Sequence, residues 1–440
     1  MQERIDEMNI QVQSTGLTKA EPVQAQERIE VLDIMRGFAL LGILIANMAL
    51  FSSPFMYLEV LGKNISSGFW DTAASSFINI FVQGKFYTMF SFLFGLGFFI
   101  FFERAMAKTA RPKLLFNRRL FILLLIGLVH AFFVWHGDIL ASYALFGFLL
   151  PLFFNRKPKT LLIWAASLFI GLLLFTALSI GMVALAKIVN EGILADTLQK
   201  LFADMESRVE SSYHAYGHGT FAEIMTQRSS DTLFAYGNAL FASIFVIFPL
   251  FLLGLYAGKI AFFQNIEKNL VWIKKAWLWG LIIGLSMSVV KFICKNQMAG
   301  DPYSFYTVFH LGAGFLGDMG LCLFIMTSII LLYQNKKWIL RFKPLAYAGR
   351  MALSNYLFQS VVCTAIFYSY GLGLYGRVGA ALGLVLAIVI FIVQIFISKY
   401  WFKRYQFGPV EWLWKSLTYG KFFGMKKHEN IGKFNRSNEN

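Results

Sequence analysis

Charge is scarce in this chain of 440 residues: Asp, Glu, Lys and Arg together fill 15% of positions, and the acids number 24. A soluble domain needs a continuous charged surface, and no stretch here is both long and polar enough to supply one. Cysteine is scarce too. Cys294, Cys322 and Cys363 lie in or beside apolar runs without paired spacing, which argues against a disulfide framework and against a zinc site. Residues 1–30 lack an apolar core, so no cleavable signal peptide is expected, and the first apolar helix is expected to serve as its own uncleaved insertion signal.

What fills the space is apolar. Hydrophobic residues make up 57% of the chain, with 48 Phe, 18 Tyr and 10 Trp. Apolar runs repeatedly reach the roughly 20 residues that cross a bilayer as a helix. The expected fold class is therefore all-α, a polytopic transmembrane helix bundle. Spans are read near 32–53, 72–102, 118–135, 139–154, 160–187, 233–257, 276–294, 305–333, 345–370 and 378–398. The run at 72–102 is too long for one straight crossing, and Gln83-Gly84-Lys85 predicts a break there. Gly95-Leu96-Gly97, after the break, permits close helix packing.

The formal net charge of +16 does not mark a nucleic-acid partner, because of where the charge sits. Most of the 40 Lys and Arg fall before the first span, in 103–119, 155–159, 259–275 and 334–350, and after 398. These segments alternate from side to side, and the positive-inside rule puts both termini in the cytoplasm. The expected organisation is a disordered cytoplasmic tail (1–27), a bundle (28–398) with an outside loop at 188–232, and a basic, aromatic cytoplasmic tail (399–440). The expected location is the bacterial cytoplasmic membrane, crossed many times.

Polar residues inside the apolar runs are the candidates for function, since they are costly there and point into a bundle or a cavity. Asp33 and Arg36 share a face of the first helix. Asn47 follows Arg36 by eleven residues, which leaves it about 20° away in azimuth and roughly 16 Å deeper. His130 lies roughly 16 Å along its helix from Arg119, where a neutral imidazole could act as a base towards a hydroxyl or amine or could simply pack. Asp138 suits a helix cap, a carboxylate that orients His130 or His136, or both. Asp318, near mid-membrane beside His310, calls for an ion pair, with Arg350 or Lys291 as partner, or for a relay role. Arg350, Ser354, Asn355 and Gln359 stud one helix and read either as interhelical hydrogen bonds or as anchors for an anionic donor. Gly371-Leu-Gly373-Leu-Tyr-Gly376 matches a dinucleotide fingerprint as a string, but no strand precedes it and the motif is set aside.

Three blocks carry a family resemblance: Arg28-Ile-Glu-Val-Leu-Asp33-Ile-Met-Arg36-Gly37; His130 with Gly137-Asp138-Ile-Leu-Ala-Ser-Tyr143-Ala; and Gly349-Arg350-Met-Ala-Leu-Ser-Asn355-Tyr356-Leu-Phe-Gln359-Ser360. A fourth, Phe407-Gly408-Pro409-Val-Glu411-Trp412-Leu-Trp414-Lys-Ser-Leu-Thr-Tyr419-Gly420, closes the match, which runs from residue 28 to 421. Together they resemble the YeiB-like bacterial inner-membrane proteins, a family defined by a domain of unknown function. That family in turn looks similar to transmembrane acyltransferases, including the heparan-α-glucosaminide N-acetyltransferases, through an opening Asp-x-x-Arg-Gly with a later Asn in the same helix. By that resemblance Asp33, Arg36 and Asn47 are the positions carried over. Those enzymes place a catalytic histidine in the loop after the first helix. Residues 52–71 hold no histidine, so the role of His130 is read from its own setting.

The leading expectation is an acyltransferase-like membrane protein that takes an acyl group from a cytoplasmic acyl-CoA to a glycan, lipid or metabolite hydroxyl or amine. His130 would be the base and Asn47 would hold the oxyanion. Asp33, Arg36, Asp138, Arg350, Asn355 and Gln359 would bind donor or substrate. His310 and Asp318 would form the relay or ion pair. No metal and no permanently bound cofactor is expected; acyl-CoA would be a co-substrate. Membrane lipids are the other expected partners, and a homodimer stays open. Two further readings stand beside this one: a carrier of a lipophilic or anionic compound, and a non-catalytic lipid- or quinone-binding protein.

Overall fold

The computed structural model describes residues 29–63, 68–189, 191–264, 266–298 and 303–427; the tail read at 1–27 lies outside them, as does the end of the tail read at 399–440. The described chain is helical, without a β-sheet; its one β-bridge pairs Tyr405 with Lys426. In order the helices are α1 (Glu30–Ser52), α2 (Phe55–Val60), α3 (Phe69–Phe77), α4 (Lys85–Lys108), α5 (Pro112–Phe133), α6 (Leu140–Gly147), α7 (Leu150–Phe153), α8 (Pro158–Val189), α9 (Glu191–His218), α10 (Phe221–Lys259), α11 (Leu270–Gln297), α12 (Tyr306–Tyr333), α13 (Lys336–Arg350), α14 (Ala352–Phe367), α15 (Ala380–Arg404) and α16 (Pro409–Tyr419). A π-helical turn at Ile78–Val82 follows α3.

Eight stretches among the described residues are long and apolar enough to cross a bilayer: α1, α3 with α4, α5, α8, the Leu240–Lys259 part of α10, α11, α12 and α15. The protein is a multi-pass membrane protein. The other two stretches read from the sequence are shorter. Residues 139–154 form α6 and α7, and 345–370 straddles the end of α13 and the 16-residue α14. Apolar composition does not by itself report length: these short helices bury one face, with Leu140, Tyr143, Leu150 and Tyr356, and expose Leu145, Leu152, Phe358 and Val361 on the other.

Where the sequence reading has a loop at 188–232, the described residues from 191 on are mostly helical. They make up α9 and the first part of α10, an antiparallel hairpin at the end of the bundle away from the basic loops. Thr220 and Glu223 close a capping box at the start of α10: the Thr220 amide donates to Glu223 at 2.6 Å and the Glu223 amide to the Thr220 hydroxyl at 3.4 Å. The Thr-x-x-Glu signal for this was present in the sequence.

The predicted break at Gln83-Gly84-Lys85 is built around Asp318. Gly84 has φ of 93°, and a β-carbon there would collide with the Asp318 carboxylate. The fully buried Lys85 ammonium reaches Asp318 Oδ1 at 2.8 Å and donates to the carbonyls of Gln83 at 2.8 Å and Asn79 at 3.2 Å. One cation thus satisfies both the buried acid and carbonyls freed by the broken helix, as irregular backbone at membrane depth requires. The partner of Asp318 is therefore Lys85, not Arg350 or Lys291. Lys291 runs beside Gly314, one turn away on α12, and Arg350 faces a cavity described below.

Close backbone contacts fix the helices that frame that cavity. A β-carbon on Gly349 would collide with the Asp33 carbonyl, and one on Gly37 with the Leu345 carbonyl, so α1 and α13 touch main chain to main chain. Gly95 does the same for α4 against Phe251 of α10, the close packing expected of the Gly95-Leu96-Gly97 stretch.

Candidate functional site

A cavity of about 380 Å³ opens at the basic end of the bundle, between α1, α4, α5, α14 and α16. Six cations line it: Arg36, Arg104, Lys108, Arg119, Arg350 and Lys415. Asp33 and Glu411 line it too, and the rest of the wall is mainly apolar, among others Leu40, Phe94, Phe98, Leu120 and Leu123, with Leu140, Tyr143 and Tyr356 at the far wall. A cationic mouth over an apolar shaft matches a molecule with an anionic head and a greasy tail.

The α1–α13 crossing sets the mouth. Because Gly37 and Gly349 touch, the residues before and after them, Arg36 and Arg350, both reach the cavity. Arg36 Nη1 donates to Asp33 Oδ1 at 2.8 Å, which fixes the fork while leaving the group part-exposed. The Arg350 guanidinium lies 4.3 Å from the ring centre of Phe402, and Arg119 lies 3.7 Å from that of Trp414. Trp414 in turn donates its indole N–H to the Arg119 carbonyl at 2.8 Å, seating α16 across the mouth.

Glu411 holds α16 to the bundle. Its carboxylate accepts from the amides of Leu353 at 2.8 Å and Ser354 at 3.1 Å and from the Ser354 hydroxyl at 2.5 Å, so it caps the N-terminus of α14 from another helix. Enclosure of the carboxyl pushes its pKa above the ordinary range, against the pull of these hydrogen bonds. A raised folded value means that its contribution to stability falls as pH climbs from the ordinary carboxylate range through that value. Glu411→Ala leaves three donors unmatched and is expected to cost about 1–3 kcal/mol, with Glu411→Gln costing much less. Unfolding of the two variants side by side checks this.

Past the far wall lies a histidine–carboxylate pair. His130 is 2% exposed, and its ring stands 5.2 Å from that of Tyr356. His130 Nδ1 meets Asp138 Oδ2 at 2.7 Å, while Asp138 Oδ1 accepts from the Ala141 amide at 2.8 Å and the Tyr236 hydroxyl at 3.4 Å. Asp138 therefore caps α6 and orients His130 at once. With Nδ1–H given to the carboxylate, Nε2 carries the lone pair, and this buried atom has no hydrogen-bond partner among the described residues.

The other candidates lie elsewhere. Asn47 is half-buried further along α1 and is not in the cavity lining. Asn355 donates to the Ala348 carbonyl at 3.0 Å and the Ser398 hydroxyl at 3.1 Å, and Gln359 donates to Gln394 at 2.9 Å; both tie α14 to α15. His310 is hydrogen-bonded to the Lys291 carbonyl at 3.1 Å, joining α12 to α11. The sequence reading did not single out Arg104, Arg119, Lys415, Tyr143, Tyr356 or Glu411. Arg104 and Arg119 are indistinguishable from topology charges, but Tyr143, Tyr356, Glu411 and Lys415 lie inside the blocks that carry the resemblance.

A family model described as "Protein of unknown function (DUF418)" matches residues 257–421. That segment carries Arg350, Tyr356, Glu411 and Trp414 of the cavity; His130 and Asp138 precede it. The chain is 39% identical over 417 residues to "Uncharacterized protein YxaH" of Bacillus subtilis, covering 92% of this chain and 97% of that one. It is 28% identical over 418 residues to an "Uncharacterized 39.9 kDa protein in amylase 3'region" of Bacillus acidopullulyticus, covering 92% and 97%. Identity to "Uncharacterized protein YeiB" of Escherichia coli is 27% over 418 residues, covering 89% and 96%. The chain belongs to the DUF418 family, with the YeiB-like proteins among its relatives.

Proposed function

We propose that this protein is a membrane acyltransferase whose donor, an acyl-CoA, enters the cavity from the cytoplasm. The basic end is the cytoplasmic one by the positive-inside rule, in the cytoplasmic membrane of a bacterium. The observation that carries the reading is the cavity itself: six cations at one end, apolar walls, and Tyr356 in contact with the His130–Asp138 pair at the other. The donor's phosphates meet Arg36, Arg119 and Arg350, and its pantetheine arm and acyl group follow the apolar shaft. His130 Nε2 takes the proton of an acceptor hydroxyl or amine as that oxygen or nitrogen bonds to the thioester carbonyl carbon. The carbon–sulfur bond breaks, and the leaving thiolate recovers the proton from the imidazolium, which Asp138 steadies meanwhile. His130, like Asn47, is not in the cavity lining; it lies directly behind Tyr356, so this scheme requires that ring to swing aside, and Asn47, with no contact to the pair, takes no step in it.

Calorimetric titration of acetyl-CoA, longer acyl-CoAs and free CoA into the protein in nanodiscs tests the donor half. Arg36→Ala and Arg350→Ala are each expected to weaken acyl-CoA binding about tenfold or more, the worth of a lost charge-assisted contact. His130→Gln should keep binding and lose acceptor-dependent release of the CoA thiol. Folded protein that binds no acyl-CoA sinks the reading and leaves the cavity to a carrier or lipid-binding role.

A further inference from the structure

Among the described residues two glycines line the cavity, Gly97 of α4 and Gly349 of α13, and they are there for different reasons. Gly349 is a contact glycine, with main chain where its β-carbon would be. Gly97 is not. Its backbone is ordinary α-helix, without the positive φ that calls for glycine. The heavy atom nearest to the place of its missing β-carbon is Arg36 Nη2, 4.0 Å away. Gly95, two residues earlier, has the Phe251 carbonyl in the corresponding place. The packing read from Gly95-Leu96-Gly97 therefore belongs to Gly95 and not to Gly97.

A glycine inside a helix weakens it, because its backbone loses more freedom on folding than any other. In α4 neither a close helix contact nor a special dihedral offsets that loss at Gly97. What the missing β-carbon leaves is bare backbone facing a guanidinium. Asp33 holds Arg36 through Nη1, at 2.8 Å, while Nη2 is the atom turned toward α4. A methyl at Gly97 would stand where an anionic oxygen must come to meet that nitrogen. The position lies seven residues before Arg104 on α4, roughly 10 Å of helical rise inward from it. One turn further in, the lining is Leu93 and Phe94, with Leu40 on α1.

We propose that Gly97 and Arg36 form the inner anion subsite of the cavity, which seats the charged group joined directly to the apolar part of the ligand. For the identity of that group this rests on the acyl-CoA reading: it is the pyrophosphate, with the nucleotide turned outward to Arg104 and Lys108. Gly97 acts by leaving the guanidinium uncovered and the backbone of α4 open to close approach. A side chain here is a wall rather than a packing element, so its size sets what the cavity admits. Filling the position should move stability and binding in opposite directions, which a purely structural role does not.

Thermal unfolding and calorimetric titration of CoA and acetyl-CoA, both in nanodiscs, read the two effects. Gly97→Ala should leave Tm unchanged or raise it, since a strong helix former enters open space, and should weaken binding of both ligands several-fold. Gly97→Leu, whose side chain extends over Arg36, should weaken it at least about tenfold. A second arm needs no acyl-CoA. The thiol of Gly97→Cys should react faster with an anionic methanethiosulfonate than with a cationic one, and Arg36→Ala should remove most of that preference. The three native cysteines are buried, and the wild type sets the background. Three results overturn the proposal: a Gly97→Ala variant that unfolds well below the wild type, a folded Gly97→Leu variant that binds like it, or a thiol whose preference is absent or indifferent to Arg36→Ala. If that preference holds while CoA and acetyl-CoA neither bind nor slow the labelling, the anion subsite stands and the acyl-CoA reading falls.

Discussion

Replacing Lys85 with methionine should be among the most damaging single changes in the bundle, at about 3–5 kcal/mol, because it strands a buried carboxylate. Asp318 has its 2.8 Å ion pair with Lys85, and the Asn79 and Gln83 carbonyls lose the same donor. The double variant Lys85→Met, Asp318→Leu removes both charges and should recover much of the loss, since an apolar pair of similar size can replace a buried ion pair. Unfolding midpoints of the wild type, both single variants and the double variant form a cycle that reads the coupling directly. If Lys85→Met unfolds like the wild type, the pair does not staple the broken helix.

Gly349→Ala is expected to be of similar severity and to strike the cavity as well. The new β-carbon collides with the Asp33 carbonyl and the Gly37 amide, both main-chain atoms that no rotamer change can move aside. The helices must part, at about 3 kcal/mol or more, the upper range for overpacking. Since Arg36 and Arg350 flank the contact, the acyl-CoA binding proposed above should weaken along with stability. Gly383→Ala is the control: its β-carbon would come no nearer than 3.6 Å to another atom, Cβ of Met48, and both readouts should hardly change.

Much of the fold was legible because a single helix declares its own faces. The Asp33–Arg36 pair, the break at Gly84 and the cap at Asp138 all follow from spacing within one segment, and each is present. What one segment cannot declare is which neighbour it meets. Asp318 demanded a cation, and the sequence reading names Arg350 or Lys291; the packing of α12 on the broken helix brings Lys85 to it instead. The stripe from Arg36 to Asn47 likewise stays on one side of α1, but the cavity lining takes Arg36 and leaves Asn47 out. Arg119 looked like one more topology charge until α16, far along the chain, laid Trp414 over it. The α9–α10 hairpin reads as a loop in the sequence because polarity outside a bilayer marks solvent exposure on one face as readily as irregular structure.

Helix α10 is continuous over 39 residues, about 58 Å at helical rise. Arg228 and Asp231 ride on its outer part, the Tyr236 hydroxyl reaches Asp138 from its middle, and its far half is wedged against α4 at Gly95. Pro249 lies beyond Tyr236, so no proline interrupts the helix from Arg228 to Tyr236 and that stretch is one stiff element. The hairpin at its outer end therefore shares a rigid support with the Tyr236 hydroxyl that reaches Asp138. The outer hairpin and the histidine–carboxylate pair, far apart in the bundle, are thus tied to one and the same rigid element.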